Sequence, residues 1–350
     1  MIIEPVIRDN VCLTAHPVGC EAQVLEQINF IKSKGPLEGP KRVLIIGASN
    51  GYGLAARIVS AFACQADTLG VAFERPGRPK RTASAGWYNT AAFTEQARES
   101  GLGVWNINAD AFSNETKQEV LETIQTHMGQ IDWLVYSIAS PRRKDPATGD
   151  LFSSVIKPIG QPYTSKTMNF LTGDISEVTS QPALPGEAEQ TVKVMGGEDW
   201  SLWIQFLLDA GVLAPGVQTM ALSYIGPECT RAIYRDGTIG QAKAHLEHTV
   251  GDLNQRLASV NGRACISVNK ALVTRASAVI PAVPLYISLL YQVMKAKGLH
   301  ENCIQQMNRL YRDFLFNPSG DPPKTDDQGR LRLDDWEMRD DVQLEVRDLW

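Results

Sequence analysis

RVLIIGASNGYGLAARIVSAFACQA, residues 42–66, is the stretch on which the fold turns. A continuous apolar run, Val43 to Ile46, leads directly into Gly47-Ala-Ser-Asn-Gly51-Tyr-Gly53 and then into an apolar pattern of helical period. That succession describes a buried parallel strand, a tight turn and a helix. Glycines in such a turn let the backbone approach a pyrophosphate, which can then sit on the unpaired amides of the helix N-terminus. The spacing is G-x-x-x-G-x-G rather than G-x-G-x-x-G, so the strand–turn–helix setting carries the reading. Gly47, Ala48, Ser49, Asn50, Gly51 and Tyr52 are the first candidates for a dinucleotide site.

The same alternation continues outward. DTLGVAFE (67–74), GLGVWNINAD (101–110) and IDWLVYSIAS (131–140) read as strands, and TAAFTEQARES (90–100) and NETKQEVLETIQTHMG (114–129) as the helices between them. A βαβαβαβ order implies a doubly wound parallel sheet with helices on both faces, an α/β Rossmann-like fold. Residues 141–192 are polar and rich in Pro, Gly and Thr, and read as an inserted hairpin region. A helix follows at DWSLWIQFLLDAGVL (199–213), then strands at QTMALSYIG (218–226) and ACISVNKA (264–271). The chain thus reads as a single domain over 1–350, with an N-terminal extension at 1–40 and a peripheral helix-and-loop segment at 316–350.

Composition narrows the function. The chain has 350 residues, 43% hydrophobic and 21% charged, with a net charge of −5. This is globular composition. The charge argues against nucleic-acid binding by phosphate neutralisation. Six scattered cysteines without a C-x-x-C pair fit reduced thiols in a cytoplasmic protein. Cys12, His16 and Cys20 lie close together, but no second ligand cluster accompanies them, so no metal is expected. MIIEPVIRDNV lacks a basic region followed by an apolar run, so no signal peptide is expected. Residues 276–294 carry no charge and are long enough to consider as a membrane span. Pro281, Pro284 and the polar residues favour a loop and a buried helix, LYISLLYQVMKAK (285–297), ending at Gly298.

Ligands of such a sheet bind beyond the carboxyl ends of its strands. Glu74 closes the second strand, placed to accept hydrogen bonds from a ribose diol and to repel a 2′-phosphate. That favours NADH over NADPH, although Arg75, Arg78, Lys80 and Arg81 follow at once. Asp110 and Ala111 end the third strand, on the adenine side. Ser137, Ile138 and Ala139 end the fourth, beside the nicotinamide half.

A second pattern is IYRDGTIGQAKAH (233–245), with eight residues between Tyr234 and Lys243. On one continuous helix the two would face opposite ways. They can share a site only if Tyr234 precedes the helix, which Asp236, Gly237 and Thr238, as turn and N-cap residues, allow.

GASNGYG, VAFE, NADAF, VYSIASP, KVMGGEDW, SYIGPE, Y-x8-K and VNKALVTRASAVIPAVPLY, in this order along the chain, resemble the FabV/TER family of trans-2-enoyl thioester reductases, relatives of the short-chain dehydrogenases. The resemblance implies NADH-dependent reduction of the 2,3-double bond of an enoyl thioester, carried by acyl carrier protein or CoA, in fatty acid synthesis. It implies Tyr234 as proton donor, Lys243 as its partner and cofactor ligand, and Tyr224 as a substrate contact. It adds Phe73, Leu272, Val273 and Thr274 to the cofactor site, and makes 270–300 the substrate loop and helix. The expected assembly is a monomer. Members of the family also continue beyond the point matching the final Asp348-Leu-Trp350 here. Two alternatives share the cofactor half. One is a carbonyl-reducing short-chain dehydrogenase, which usually places its lysine four residues after the tyrosine. The other is a non-enzymatic dinucleotide sensor, which gives no reason for the Tyr–Lys pair.

Overall fold

The structure is a computed structural model that describes residues 2–8, 11–274, 277, 280–319 and 323–350. Arg275, Ala276, Ala278 and Val279, within the TRASAVIP motif and the start of the 276–294 stretch, lie outside the described residues.

The chain opens with a short hairpin, β1 (Ile7–Arg8) and β2 (Val11–Cys12), and helix α1 (Pro17–Ser33). The alternating region then gives β3 (Arg42–Ile46), α2 (Gly51–Phe62), β4 (Asp67–Ala72), α3 (Ala85–Glu99), β5 (Val104–Asn108), α4 (Asn114–Thr123) and β6 (Ile131–Tyr136). The expected insertion holds two antiparallel hairpins, β7 (Arg142–Lys144) with β8 (Leu151–Ser153) and β9 (Tyr163–Met168) with β10 (Ile175–Ser180). After it come α5 (Glu187–Met195), α6 (Glu198–Asp209), β11 (Leu213–Ser223), α7 (Thr238–Leu257), β12 (Arg263–Val268) and α8 (Val283–Ala296). The chain closes with α9 (Cys303–Arg309), β13 (Leu331–Arg332) and α10 (Asp340–Leu349).

Seven strands form one parallel sheet in the order β13-β12-β11-β6-β3-β4-β5. Strand β3 starts the sheet, β4 and β5 extend it one way, and β6 returns to β3's other edge. The crevice at the carboxyl ends of β3 and β6 is therefore the switch point where such sheets bind ligands. The sheet is buried on both faces because β3 itself alternates. Val43 and Ile45 pack into a core with α1, α2, α3 and α9, while Leu44 and Ile46 pack into one with α4, α6 and α7.

Packing and capping define the N-terminal segment, and one expectation, for 316–350, changes. The N-terminal extension is part of the core, since Val24, Ile28 and Ile31 of α1 are fully buried against α2 and α3. His16, weighed as a metal ligand, caps α1 by accepting from the Gly19 amide at 3.3 Å. The 316–350 segment is not peripheral. It adds β13 to the sheet and buries Leu331, Leu333, Asp334 and Glu337.

Pro284 does not break α8 but sits in its first turn, where its missing N–H costs nothing. The helix has 14 residues, and among the described residues no helix is long and apolar enough to cross a membrane.

Candidate active site

The glycine loop is built by close approach. A Cβ at Gly47, whose φ is +91°, would collide with the Ser137 carbonyl at the end of β6, and one at Gly53 with the Gly47 carbonyl. Only glycine lets the β3–α2 turn lie this close to the neighbouring strand end. The first turn of α2 follows with no side-chain cap from Asn50. Its amides therefore remain available to an anion. Glu74 braces this loop. Its Oε1 accepts from Ser49 Oγ at 2.7 Å and from Asn50 Nδ2 at 3.0 Å. Its backbone is held by both amide atoms of the Asn108 side chain. Oε2 carries no hydrogen bond among the described residues, which leaves one carboxylate oxygen for a ribose diol. Asn89 adds a second brace, donating to Ser49 O at 3.1 Å and Asn50 Oδ1 at 3.0 Å.

Beside the loop lies a cavity of about 590 Å³ lined in part by Ala48, Gly70, Glu74, Trp87 and Asn108. A cavity there, at the carboxyl ends of β3, β4 and β5, fits the adenosine half of a dinucleotide. Phe73 is 77% exposed at its rim. The basic run Arg75, Arg78, Lys80 and Arg81 is exposed as well, as a solvated loop should be. Asp110 Oδ1 accepts from the Phe112 amide at 3.0 Å, while the Ala111 carbonyl is taken by Lys117 and Trp203. Ile138 is partly buried and Ala139 exposed at the β6 end. The Tyr52 hydroxyl bonds Lys270 O at 2.9 Å and Gln306 at 2.8 Å, so it is already engaged within the protein.

Opposite the loop, Tyr234 does precede the helix that carries Lys243. The residues before α7 form turns, and a Cβ at Gly240 would strike the Arg235 carbonyl, so the loop folds onto the first turn of α7 only because that position is glycine. Thr238 is the first helical residue rather than a cap. Its hydroxyl donates to Val155 O at 2.6 Å, which ties the inserted region to the start of α7. Lys243 Nζ donates to Leu222 O, near the end of β11, at 2.9 Å. Burial lowers its pKa to about 8, with Glu247 one turn on acting in the opposite direction.

Burial pushes the Tyr234 phenol well above its ordinary value, while Arg235 pulls it down and Glu247 pushes it further up. The phenol is thus held protonated. Its hydroxyl makes no hydrogen bond among the described residues, though Tyr234 is only 7% exposed. Among neighbouring charges, Arg235 is the cation that lowers it.

The Tyr224 ring meets that of Tyr234 edge-on, with centroids 4.9 Å apart. Both belong to an apolar cluster with Ile239, Ile280, Val283, Ile287 and Leu290. Leu272, Val273 and Thr274 run from β12 toward the glycine loop, and Thr274 Cγ2 lies 3.8 Å from where a Gly51 Cβ would stand. Leu272 is buried and Val273 is 49% exposed. The site region thus presents a glycine loop covered by Thr274, a protonated phenol against an apolar wall, and an ammonium at the end of β11.

Sequence reading missed several residues that complete the site. Glu337 and Lys270 lie fully buried beside it, and Gly86 packs so close that a Cβ would strike Glu74. A glutamate in an acidic tail gives no signal of its own, and neither does one lysine after a strand.

A family model described as the trans-2-enoyl-CoA reductase catalytic region matches residues 81–316, and one for the NAD(P)H binding domain of trans-2-enoyl-CoA reductase matches residues 2–79. A third, described as an enoyl reductase FAD binding domain, matches residues 325–350. The structure does not fit that segment to a flavin. It holds one glycine, Gly329, and three of its four arginines are already paired: Arg330 with Asp326 and Glu247, Arg332 with Asp334, Arg339 with Asp341.

An enoyl-[acyl-carrier-protein] reductase [NADH] of Flavobacterium johnsoniae is 56% identical over 350 residues, covering 100% of this chain and 88% of that protein. A trans-2-enoyl-CoA reductase [NADH] of Ruminiclostridium cellulolyticum is 53% identical over the same shares. The crystal structure of Treponema denticola trans-2-enoyl-CoA reductase in complex with NAD superposes with a TM-score of 0.96 at 49% identity, over 100% of this chain and 88% of that one. With matches of this extent along its whole length, the chain belongs to the trans-2-enoyl-CoA reductase family.

Proposed function

We propose that this chain reduces the 2,3-double bond of trans-2-enoyl thioesters with NADH, through a site centred on Tyr234. The observation that carries the assignment of roles is the protonated, unengaged Tyr234 hydroxyl in an apolar pocket across from the glycine loop. Bound NADH supplies the hydride that reaches C3 of the enoyl group. The electron pair of the double bond then moves toward the thioester oxygen, and Tyr234 stabilises that charge by hydrogen bonding as it develops. Tyr234 gives its proton to the enolate, which collapses to the saturated acyl thioester with hydrogen on C2, and solvent returns a proton to the phenol. A phenol kept neutral by burial suits this work, because it enters the step with its proton in place.

Lys243 has the reach of an ammonium at the end of β11 and the role of holding the nicotinamide ribose. Tyr224 positions the thioester beside Tyr234. Glu74 Oε2 takes the adenosine ribose, and the α2 N-terminus takes the pyrophosphate. The cluster of Ile280, Val283, Ile287 and Leu290 receives the acyl chain. The carrier is CoA or acyl carrier protein, the working state is a monomer, and the free state of all six cysteines supports a reducing, cytoplasmic setting.

The test is oxidation of NADH with crotonyl-CoA, a matched enoyl-acyl-carrier-protein and a ketone. Turnover with the first two and none with the ketone is the expected result. Turnover with the ketone alone would reassign the chain to carbonyl reduction, and binding of NADH without turnover would leave a dinucleotide sensor.

A further inference from the structure

Glu337 lies outside every role given so far, yet it is fully buried and every oxygen it carries is used. Oε1 accepts from Tyr286 OH at 2.7 Å and from Tyr224 OH at 3.0 Å. Oε2 accepts from the Ala271 amide at 2.6 Å. Gln343 Nε2 donates to the Glu337 carbonyl at 2.7 Å and to Tyr286 OH at 3.1 Å, so α10 holds the group from behind. The carboxyl thus touches the tyrosine that meets Tyr234 edge-on and, on its other oxygen, the residue that begins the 271–274 segment over the glycine loop. A buried carboxylate is expensive, and the nearby Lys270 charge with three donors on two oxygens offsets that expense only while all stay in place.

We propose that Glu337 is a positioning residue for the reduction: by fixing the Tyr224 hydroxyl and the Ala271 amide on one carboxylate, it sets the substrate tyrosine and the cofactor segment in one register. The inference rests on the reading of Tyr224 as a substrate contact. A carboxylate has only acceptors here, so the Tyr224 proton points at Glu337 and the phenol offers the substrate side its lone pairs and its ring. An amide in place of the carboxylate can accept from one side only. Its NH₂ group then faces either the two phenols or the Ala271 amide, and one arm of the register is lost.

The experiment is a double-mutant cycle of Glu337→Gln with Tyr224→Phe, measuring kcat, the KM for crotonyl-CoA and the dissociation constant for NADH. We expect Glu337→Gln to raise the substrate KM roughly tenfold with a kcat change under about threefold, as loss of orientation rather than of chemistry would. In the Tyr224→Phe background the same substitution should leave KM within about twofold, because the group it acts through is gone. Equal KM changes in both backgrounds, or a drop in kcat at constant KM, would reduce Glu337 to a structural residue and overturn the proposal. If Tyr224→Phe by itself leaves KM unchanged, the reading of Tyr224 fails and the proposal falls with it. Should Glu337→Gln not fold, Gln343→Ala removes the support from α10 without stranding a buried acid. It should then raise KM by a few-fold in the wild type and not in Tyr224→Phe, and an equal effect in both would overturn the proposal.

Discussion

Tyr234 and Lys243 share a helix entry, but their burial sets them opposite tasks. Burial favours the neutral form of both, which keeps the phenol protonated and makes the ammonium easy to discharge. Tyr234→Phe keeps the ring against Tyr224 and removes only the hydroxyl. Turnover of crotonyl-CoA should fall by at least about 10²-fold while the NADH dissociation constant stays near wild type. A variant with near-normal kcat would take Tyr234 out of the reaction. For Lys243 the folded pKa, about 8, lies below that of a free lysine. The unfolded chain therefore holds the extra proton between about pH 8 and the ordinary lysine value of about 10.4, and stability rises through that window. Below pH 8 the cost of the buried ammonium is fully present. Lys243→Met should consequently raise Tm at pH 7 while weakening NADH binding and lowering kcat. In the free enzyme, kcat/KM should decline as pH rises through about 8, and Lys243→Arg, whose cation does not discharge in this range, should shift that alkaline limb upward. A lower Tm for Lys243→Met, or a limb that Lys243→Arg does not move, would show an ordinary helix lysine.

At the scale of elements, what could be read from sequence was what local pattern determines. The unbroken apolar run of β3, the glycine turn and the period of α2 each depend on neighbours in the chain, and so does the start of α7 at Thr238. The fourth helix was legible too, although its end tightens differently: α4 passes at Ile124–Met128 into a π-helical turn that no residue type announces. Illegible were contacts made across the sequence. β13 is two residues long, too short for a period, and exists because β12 offers it an edge. Glu337 and Asp334 sit in a charged stretch that reads as solvated, and only the tertiary fold turns them inward. Glu74 shows the mixture. Its place at the β4 end was visible, but its brace to Ser49 and Asn50 across the turn was not. That brace depends on α3, since a Cβ at Gly86 would strike both the Glu74 carboxylate and the Asn50 amide. Gly86→Ala should displace Glu74, raising the KM for NADH by roughly tenfold with little change in kcat at saturating NADH and in substrate KM. An unchanged KM for NADH would mean that the loop tolerates the methyl group and that the brace is not needed for binding.

At the scale of the whole molecule, the two halves of the sheet meet only along β3 and β6, and the ligand crevice opens at their common end. In the reading proposed above, a dinucleotide laid across it would contact the β3–β4–β5 side through Glu74 and the glycine loop, and the β6–β11–β12 side through Ile138, Lys243 and Thr274. It therefore ties together elements far apart in sequence, and it binds the native state alone. Mass action then makes thermal stability a measure of cofactor choice, independent of turnover: NADH at a hundred times its dissociation constant should add about 2.7 kcal/mol. For a domain of this size that corresponds to an upward shift in Tm of a few degrees. NADPH at equal concentration should give a smaller shift, because the 2′-phosphate would face the Glu74 carboxylate at the end of β4. Glu74→Ser removes the repelling charge and leaves Arg75, Arg78, Lys80 and Arg81 in reach, so it should shrink the NADH shift and enlarge the NADPH one. The comparison also separates binding from folding, since the Tm of the ligand-free variant reports any loss of the brace to Ser49 and Asn50. A wild-type protein stabilised more by NADPH than by NADH would place the ribose away from Glu74, and the basic loop would then be the phosphate site.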